Sequence, residues 1–170
     1  MAAPANVHVR RYRSGDRPQA MALAPRLIEG VAPWRDPGAV LTAVHGWVRD
    51  SLDASGRPDH AVYVATDGSG VVGVVTVAES AHFTGQVDAY VGELAVGAGM
   101  ERRGIATRLM SAAEAWAAGR GLSFITLETG AANQPARSFY RTLGYREEGV
   151  RLTKPIAPAE RGERSHVLRG

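Results

Sequence analysis

The chain contains no cysteine. This absence excludes disulfide bonds, thiolate metal sites and a cysteine nucleophile together. The five histidines show no paired metal-ligand spacing, so we expect no metal site. No apolar run is long enough for a signal peptide or a membrane span, which favours a soluble, cytoplasmic protein.

A large excess of charge of one sign is also missing. The formal net charge is +3, and the arginines are scattered along the sequence rather than clustered. Scattered arginines are typical of a solvated surface, so we expect neither nucleic acid nor membrane as a partner. A length of 170 residues with 45% hydrophobic content suits one domain, residues 1–170, with a sizeable core.

Hydrophobic periodicity predicts the order strand, two helices, three strands, helix, strand, helix and strands. Such a pattern is typical of a layered α/β domain, with a mixed sheet between helices. The predicted helices cover residues 17–29, 38–52, 105–118 and 135–143, and the predicted strands cover residues 7–10, 62–66, 71–77, 86–96, 123–129, 145–152 and, as an edge strand, 165–168.

Two glycine patterns resemble nucleotide-binding motifs but lack their context. Residues 68–73 match G-x-G-x-x-G, yet they join two strands, so a hairpin is the better interpretation. Residues 99–104 have the glycine spacing of a P-loop, but Ile105 and Ala106 follow where lysine and a hydroxyl residue are required. Nucleotide hydrolysis is therefore excluded.

A different phosphate site remains between the strand 86–96 and the helix that begins near Ile105. Gly104 lets backbone N–H groups approach an anion closely, and the helix N-terminus adds partial positive charge. Arg102 and Arg103 supply further attraction for phosphate. Taken alone, the same residues also fit an ordinary tight turn with two exposed arginines.

The segment from Glu93 to Leu109 resembles the acetyl-CoA-binding motif of the GNAT acetyltransferases, whose loop reads Q/R-x-x-G-x-G/A. Gly104 and Ala106 match this loop, whereas Glu101 stands where glutamine or arginine is usual. Residues 133–145 resemble the second GNAT motif, N-x-x-A-x-x-F-Y-x-x-x-G-F/Y, at every anchor position. Two motifs in the right order are far more specific than one.

This resemblance implies a GNAT-type α/β fold: a mixed, mostly antiparallel central sheet with helices on both faces and splayed central strands. Acetyl-CoA would be the co-substrate, without a metal, and would bind within residues 71–150. The residues that the resemblance assigns to acetyl-CoA binding are Leu94, Ala95, Val96, Arg102, Arg103, Gly104, Ile105, Ala106, Thr107, Asn133 and Tyr140.

The implied activity is N-acetyl transfer by direct attack of an amine in a ternary complex. Tyr140 is the candidate general acid, because a phenol with a pKa of about 10 stays protonated at neutral pH. The base stays open between Glu128 and Glu93, with Asp88 and Tyr90 as weaker candidates. Asn133 could cap the helix beginning at residue 135, contact the pantetheine arm, or both.

The acceptor is expected to be a primary amine, and a small molecule is favoured. Alternatives are acetylation of a protein N-terminus or lysine, and a non-catalytic domain that senses acyl-CoA. Trp34, Trp47 and residues 154–164 are candidates for gripping the acceptor, although Trp47 is rather expected in the core. No acidic cluster along the sequence marks a polycationic, aminoglycoside-like acceptor. A homodimer is compatible with this interpretation.

Overall fold

The computed structural model describes residues 7–156, so the edge strand expected over 165–168 lies outside the described residues. Five strands form one sheet in the order β1-β2-β3-β4-β5; neighbours are antiparallel except β4 and β5, which are parallel. The elements are β1 His8–Arg11, α1 Arg17–Met21, α2 Pro37–Asp53, β2 His60–Asp67, β3 Gly70–Ala81, β4 Val87–Val96, α3 Ile105–Gly119, β5 Ile125–Leu127 and α4 Gln134–Thr142.

Each face of the sheet carries its own hydrophobic core. On one face, α2 buries Val44, Val48 and Leu52 against side chains of β2, β3 and β4. On the other face, α3 buries a stripe at helical spacing, as the periodicity of this segment predicts; it comprises Ile105, Leu109, Ala113 and Trp116. The prediction of a mixed sheet with helices on both faces is therefore confirmed. None of the described helices is long and apolar enough to cross a lipid bilayer.

The predicted hairpin is also confirmed. Residues 68 and 69 connect β2 to β3, and Gly70 has a φ of 123° that an L side chain rarely adopts. Because residues 68–73 join two paired strands rather than a strand and a helix, they do not form a dinucleotide-binding turn.

A β-bulge in β4 sets the shape of the sheet centre. Gly92 and Glu93 together lie opposite Thr76, and the register shifts between Val75 and Val77. Gly92 suits this position, because a Cβ there would lie 3.0 Å from Thr76 Oγ1. A bulge bends its strand, and β4 pairs with β5 only from Ala89 to Val91. Beyond this point the two strands separate, as the resemblance implies.

The prediction of one continuous helix over residues 17–29 is wrong. This segment is divided into α1 and a 3-10 turn at Ala24–Ile28. Pro25 lies at the start of this turn and cannot donate the backbone hydrogen bond that a continuous helix requires.

The expectation that Trp47 packs in the core is also wrong, since 52% of its surface is exposed. The buried stripe of α2 runs through Val44, Val48 and Leu52 at four-residue spacing. Trp47 immediately precedes Val48 and is therefore turned away from this stripe.

The strand expected over residues 145–152 is not formed in the described part of the chain. Side chains hold its first residues instead. The Tyr145 hydroxyl donates a hydrogen bond of 3.1 Å to Glu114 on α3, and Glu147 forms an ion pair with Arg137 on α4. Apolar alternation alone does not supply a partner strand, and without one the segment stays irregular.

A close backbone contact joins the segment before α2 to the loop before α4. Gly30 has a φ of 80°, and a Cβ on Gly130 would overlap the carbonyl of Gly30. Asn133 Nδ2 donates a hydrogen bond of 3.1 Å to the carbonyl of Glu29. The neighbouring Arg26 contacts the end of β4, so residues 26–30 reach from β4 to the loop that follows β5.

We expect Gly130→Ala to lower the free energy of unfolding by about 1–3 kcal/mol, because the added methyl group must displace the Gly30 backbone. Chemical denaturation measures this loss. Gly15→Ala is the control, since a Cβ at Gly15 meets no atom within 4 Å. Equal stability of the two variants would contradict the close contact.

Candidate active site

The turn before α3 has the backbone geometry of an anion site. Gly104 caps the helix with φ 74° and ψ 8°, and no side chain caps it. Arg102 also has a left-handed φ of 58°, which is uncommon for a residue with a side chain. Successive turn residues of this kind direct their N–H groups into one concavity.

The first turn of α3 adds further donors to this concavity. The N–H groups of Ile105, Ala106 and Thr107 have no acceptor inside the helix, because they belong to its first turn. The side chains of Arg102 and Arg103 are exposed, and neither forms an ion pair with a described residue. The site therefore combines oriented amides with two available cations, which suits a diphosphate.

The edge of β4 beside this turn carries unpaired main-chain groups. Gly97 donates a hydrogen bond of 2.8 Å to Val72 on β3, so by strand alternation Leu94 and Val96 direct their backbone groups away from β3. They face the gap where β5 no longer pairs. The main chain of Ala95 points towards β3 instead, so the structure does not bring it to the gap. Its side chain is buried against the α2 face.

Arg26 occupies part of this edge and was not identified from the sequence. Its Nε donates a hydrogen bond of 3.1 Å to the Val96 carbonyl, and its Nη2 lies 2.7 Å from Glu101 Oε1. It also pairs with Glu29 at 2.9 Å. The Val96 carbonyl is therefore engaged, whereas its N–H stays available. The unusual glutamate at position 101 is balanced by this arginine.

Glu93 is the buried carboxylate of the site, with 6% of its surface exposed. Ser51 on α2 donates a hydrogen bond of 2.8 Å to Glu93 Oε2, and the Thr76 hydroxyl donates to the same oxygen. Thr76 Oγ1 also accepts the Glu93 N–H at 3.0 Å. Burial raises the pKa of the Glu93 carboxyl, and the two hydroxyl donors oppose that rise. As strand alternation predicts, Glu93 lies on the face opposite to Leu94.

Glu128, the other candidate base, has a different environment. It follows the last residue of β5, its side chain is exposed, and Arg151 lies 3.6 Å away. The charges of Glu128 and Glu93, after burial, both raise the pKa of Tyr90, so both carboxylates lie near enough to act on this phenol. The geometry brings both candidates to one region, but only Glu93 is buried.

Tyr140 lies on α4 and packs against the core on the α3 face. Its ring centroid is 5.7 Å from that of Tyr145 and 5.2 Å from that of Phe139. Burial raises the pKa of Tyr140 to about 12, so the phenol is fully protonated at neutral pH. No described residue hydrogen-bonds its hydroxyl, which leaves the proton available for a bound group.

Asn133 caps α4. Its side-chain oxygen accepts a hydrogen bond of 3.2 Å from the Ala136 N–H, and its Nδ2 donates to the Glu29 carbonyl. Both ends of the amide are thus engaged by the protein, and the capping interpretation is confirmed. A contact of Asn133 with the pantetheine arm stays a prediction.

Tyr90 lines two pockets on the α2 face of the sheet. A pocket of about 200 Å³ lies beside Glu93, and its lining includes Ser51, His60 and Tyr90. A second pocket of about 180 Å³ is lined by Asp88, His82, Ser80, Ala81, Thr126 and again Tyr90. The fold therefore collects carboxylates that the sequence shows only as dispersed. Within residues 7–156, no group of three metal-ligating side chains stands together.

Comparison with known proteins agrees with this geometry. The family model for the acetyltransferase (GNAT) family matches residues 28–145. The chain belongs to the GNAT family. It is therefore an N-acetyltransferase, and GNAT enzymes use acetyl-CoA. No curated protein matches the sequence.

Several solved structures share this GNAT fold at low sequence identity. A Pyrococcus furiosus protein described as an acetyl transferase has a TM-score of 0.71 and 21% identity, over 89% of this chain and 100% of its own. A GCN5-related N-acetyltransferase from Ralstonia eutropha JMP134 has a TM-score of 0.68 and 20% identity, over 90% and 100%. AAC(6')-Iy, in complex with the bisubstrate analog CoA-S-monomethyl-acetylneamine, has a TM-score of 0.64 and 15% identity, over 89% and 99%.

Three residues that contact the candidate site were not identified from the sequence. Thr76 had a usable signal, because it is a hydroxyl residue inside a run of valines in β3. Ser51 and Arg26 had none, because each reaches its partner through contacts between residues that are distant in the sequence.

We expect Arg26→Ala to weaken coenzyme A binding about three- to tenfold, because it leaves the Glu101 charge unbalanced beside the phosphate site. Glu101→Ala should leave the dissociation constant equal or slightly lower. The double variant should recover most of the affinity lost in Arg26→Ala. Isothermal titration calorimetry measures all three constants.

Arg57→Ala is the matched control, since Arg57 is exposed and pairs with Asp59 beside β2. Equal weakening by Arg26→Ala and Glu101→Ala would contradict charge compensation. It would indicate that the ion pair acts by holding the loop in place.

Proposed function

We propose that this enzyme transfers an acetyl group from acetyl-CoA to the primary amine of a small molecule, by direct attack in a ternary complex. The observation that carries the proposal is the buried Glu93 carboxylate at the point where β4 and β5 separate. A base at this point would lie beside a thioester whose arm follows the free edge of β4. The likeness to AAC(6')-Iy, which is bound to an acetylneamine-bearing CoA analog, supports an amine acceptor.

The co-substrate fits the chain's own donors. The amides of Gly104 to Thr107 and the side chains of Arg102 and Arg103 would hold the diphosphate. The free edge of β4 runs from Val96 to Val91, a distance of roughly 16 Å at about 3.3 Å per residue. Leu94 and Val96 would hydrogen-bond the pantetheine arm along this edge. The arm would end where the strands rejoin, beside the bulge.

The reaction needs a neutral amine, a stabilised oxyanion and a protonated thiolate. Glu93 would accept a proton from the acceptor ammonium, directly or through water, after which the nitrogen attacks the thioester carbonyl. The Leu94 N–H, which faces the gap, would stabilise the oxyanion, and the Leu94 carbonyl would bond the pantetheine arm. As the C–S bond breaks, Tyr140 would give its proton to the departing sulfur. The nitrogen would lose its second proton, through water, to the Tyr140 phenolate, and Glu93 would release the first proton to solvent.

Glu93 is the better base of the two candidates. Its raised pKa matches a group that must hold a proton briefly near neutral pH, whereas the exposed Glu128 is paired with Arg151. Glu128 would contribute attraction for a cationic acceptor at the mouth of the site.

We also propose a domain organisation for the chain. Residues 1–170 would form one acetyltransferase domain whose acetyl-CoA-binding part covers residues 71–150. A cytoplasmic location and the absence of nucleic-acid or membrane partners stay predictions from the sequence, and a homodimer is compatible with them.

We expect Tyr140→Phe to lower kcat about 100-fold or more, with little change in the dissociation constant of coenzyme A, because only the proton donor is lost. Thiol release from acetyl-CoA with a panel of primary amines measures the rate. Phe139→Leu is the control for packing, since Phe139 is the neighbouring ring on α4. An unchanged kcat would remove Tyr140 as the acid.

We expect Glu93→Gln to lower kcat/KM about 100-fold, and Glu128→Gln to stay within about threefold of the unaltered enzyme. The ionised form of Glu93 accepts the proton, so kcat/KM should fall as pH drops through its pKa. Ser51→Ala removes one donor to this carboxylate and should move that acidic limb to higher pH. A pH–rate profile of each variant measures the shift.

The opposite ranking of the two glutamine variants would assign the base to Glu128. Binding of coenzyme A without thiol release from any amine would contradict acetyl transfer to amines altogether.

A further inference from the structure

Asp88 is a second buried carboxylate on the same face as Glu93, and the proposed chemistry does not use it. It lies on β4 opposite Ser80 of β3, with 7% of its surface exposed. Its side chain lines the pocket of about 180 Å³ that adjoins the Glu93 pocket at Tyr90. This carboxylate is therefore nearly removed from solvent, yet it borders a cavity.

Asp88 Oδ1 has no hydrogen-bond partner in the part of the chain that the structure describes. Nor does Asp88 form an ion pair with any lysine, arginine or histidine of residues 7–156. An ionised carboxylate that is buried without a partner costs several kcal/mol, so such groups are normally paired. The other buried carboxylates behave as expected: Asp16 is paired with Arg10, and Glu93 accepts two hydroxyl donors.

The charged neighbours of this pocket do not balance Asp88. His82 lines the pocket, but its Nδ1 is 2.7 Å from the Thr84 hydroxyl and its Nε2 is 3.8 Å from Glu148. Both ring nitrogens are thus directed to other groups. Glu148 adds negative charge beside His82. The charge of Arg151, which also acts on Tyr90, is paired with that of Glu128. The Tyr90 phenol is neutral at physiological pH, and burial raises its pKa further. The pocket is left with excess negative charge.

We propose that the Asp88 pocket binds a second cationic group of the acetyl acceptor, so that the acceptor is a linear aliphatic diamine or oligoamine. This rests on the proposed function, since it takes the amine at Glu93 as the one that is acetylated. Asp88 would receive the far ammonium group, whose charge compensates the orphaned oxygen. Tyr90, which lines both pockets, would contact the apolar chain between the two amines.

The spacing of the two carboxylates defines the length of this acceptor. Asp88 and Glu93 are five residues apart on one strand that contains a bulge, which corresponds to roughly 13–16 Å between their Cα atoms. A diamine spanning this distance would be held at both ends. Shorter diamines would reach only one carboxylate, and much longer ones would have to fold.

The first test uses the unaltered enzyme and two acceptors of equal length. Octane-1,8-diamine and 8-amino-octan-1-ol differ only in the charge at the far end. We expect kcat/KM to be about 10- to 100-fold higher for the diamine, the range of one charged hydrogen bond. In a series of diamines, this preference should pass through a maximum at one length. A steady rise with length would indicate apolar contact alone.

The second test uses Asp88→Asn, which keeps the shape and removes the charge. The preference for the diamine should fall to about onefold, while kcat/KM for the amino alcohol is unchanged. Tm should stay equal or rise, because removing an unpaired buried charge is not destabilising. Asp67→Asn is the matched control, since Asp67 is the last residue of β2 and lies at the opposite end of β3. It should keep the diamine preference.

Three outcomes would overturn the subsite. They are equal rates for the two acceptors in the unaltered enzyme, an unchanged preference in Asp88→Asn, or a lower Tm in Asp88→Asn with the preference retained, which would make Asp88 structural.

If no amine leads to release of thiol from acetyl-CoA, the proposed function fails, but the Asp88 subsite can still be tested. Calorimetric titration of octane-1,8-diamine and 8-amino-octan-1-ol into the enzyme saturated with coenzyme A then gives the same comparison as binding constants.

Discussion

The early end of hydrogen bonding between β4 and β5 is the constraint on which the rest of the site depends. The bulge at Gly92 and Glu93 bends β4, and after Val91 the strand has no partner on that side. Unpaired backbone groups in a sheet centre are costly unless something else bonds them. Arg26 takes one carbonyl, and the remaining donors form an edge that a bound molecule can complete. An interruption of the sheet thereby becomes a binding surface.

The same bulge determines the chemistry next to that surface. The bulge brings Glu93 opposite Thr76, so that one hydroxyl both accepts from the Glu93 amide and donates to its carboxylate. Ser51 on α2 completes the pair of donors. Two hydroxyl bonds make burial of the carboxylate tolerable without a permanent cation, and its pKa still rises. The bulge therefore produces both the free edge at Leu94 and the buried base Glu93, and a single peptide bond joins these two residues.

Structural features that depend on neighbouring residues in the sequence were predicted well, whereas features that depend on a distant part of the chain were not. The buried stripe of α3 was predicted from apolar residues three or four positions apart, and its N-cap from the glycine before the helix. Both predictions agree with the structure. The helix over 17–29 failed at Pro25, where a missing donor outweighs apolar periodicity. Trp47 shows a different limit: several faces of α2 are apolar, and only the position of the sheet decides which one is buried.

The sequence by itself determined the family, because the two GNAT motifs depend on short-range chemistry: a left-handed glycine before a helix, and a capped helix that carries Tyr140. Only the tertiary structure decided how the carboxylates are used. Ser51 meets Glu93 across 42 residues, and Arg26 meets Glu101 across 75. Asp88 is an ordinary strand residue until the sheet buries it without a partner. Such contacts depend on the path of the whole chain, which no local periodicity encodes.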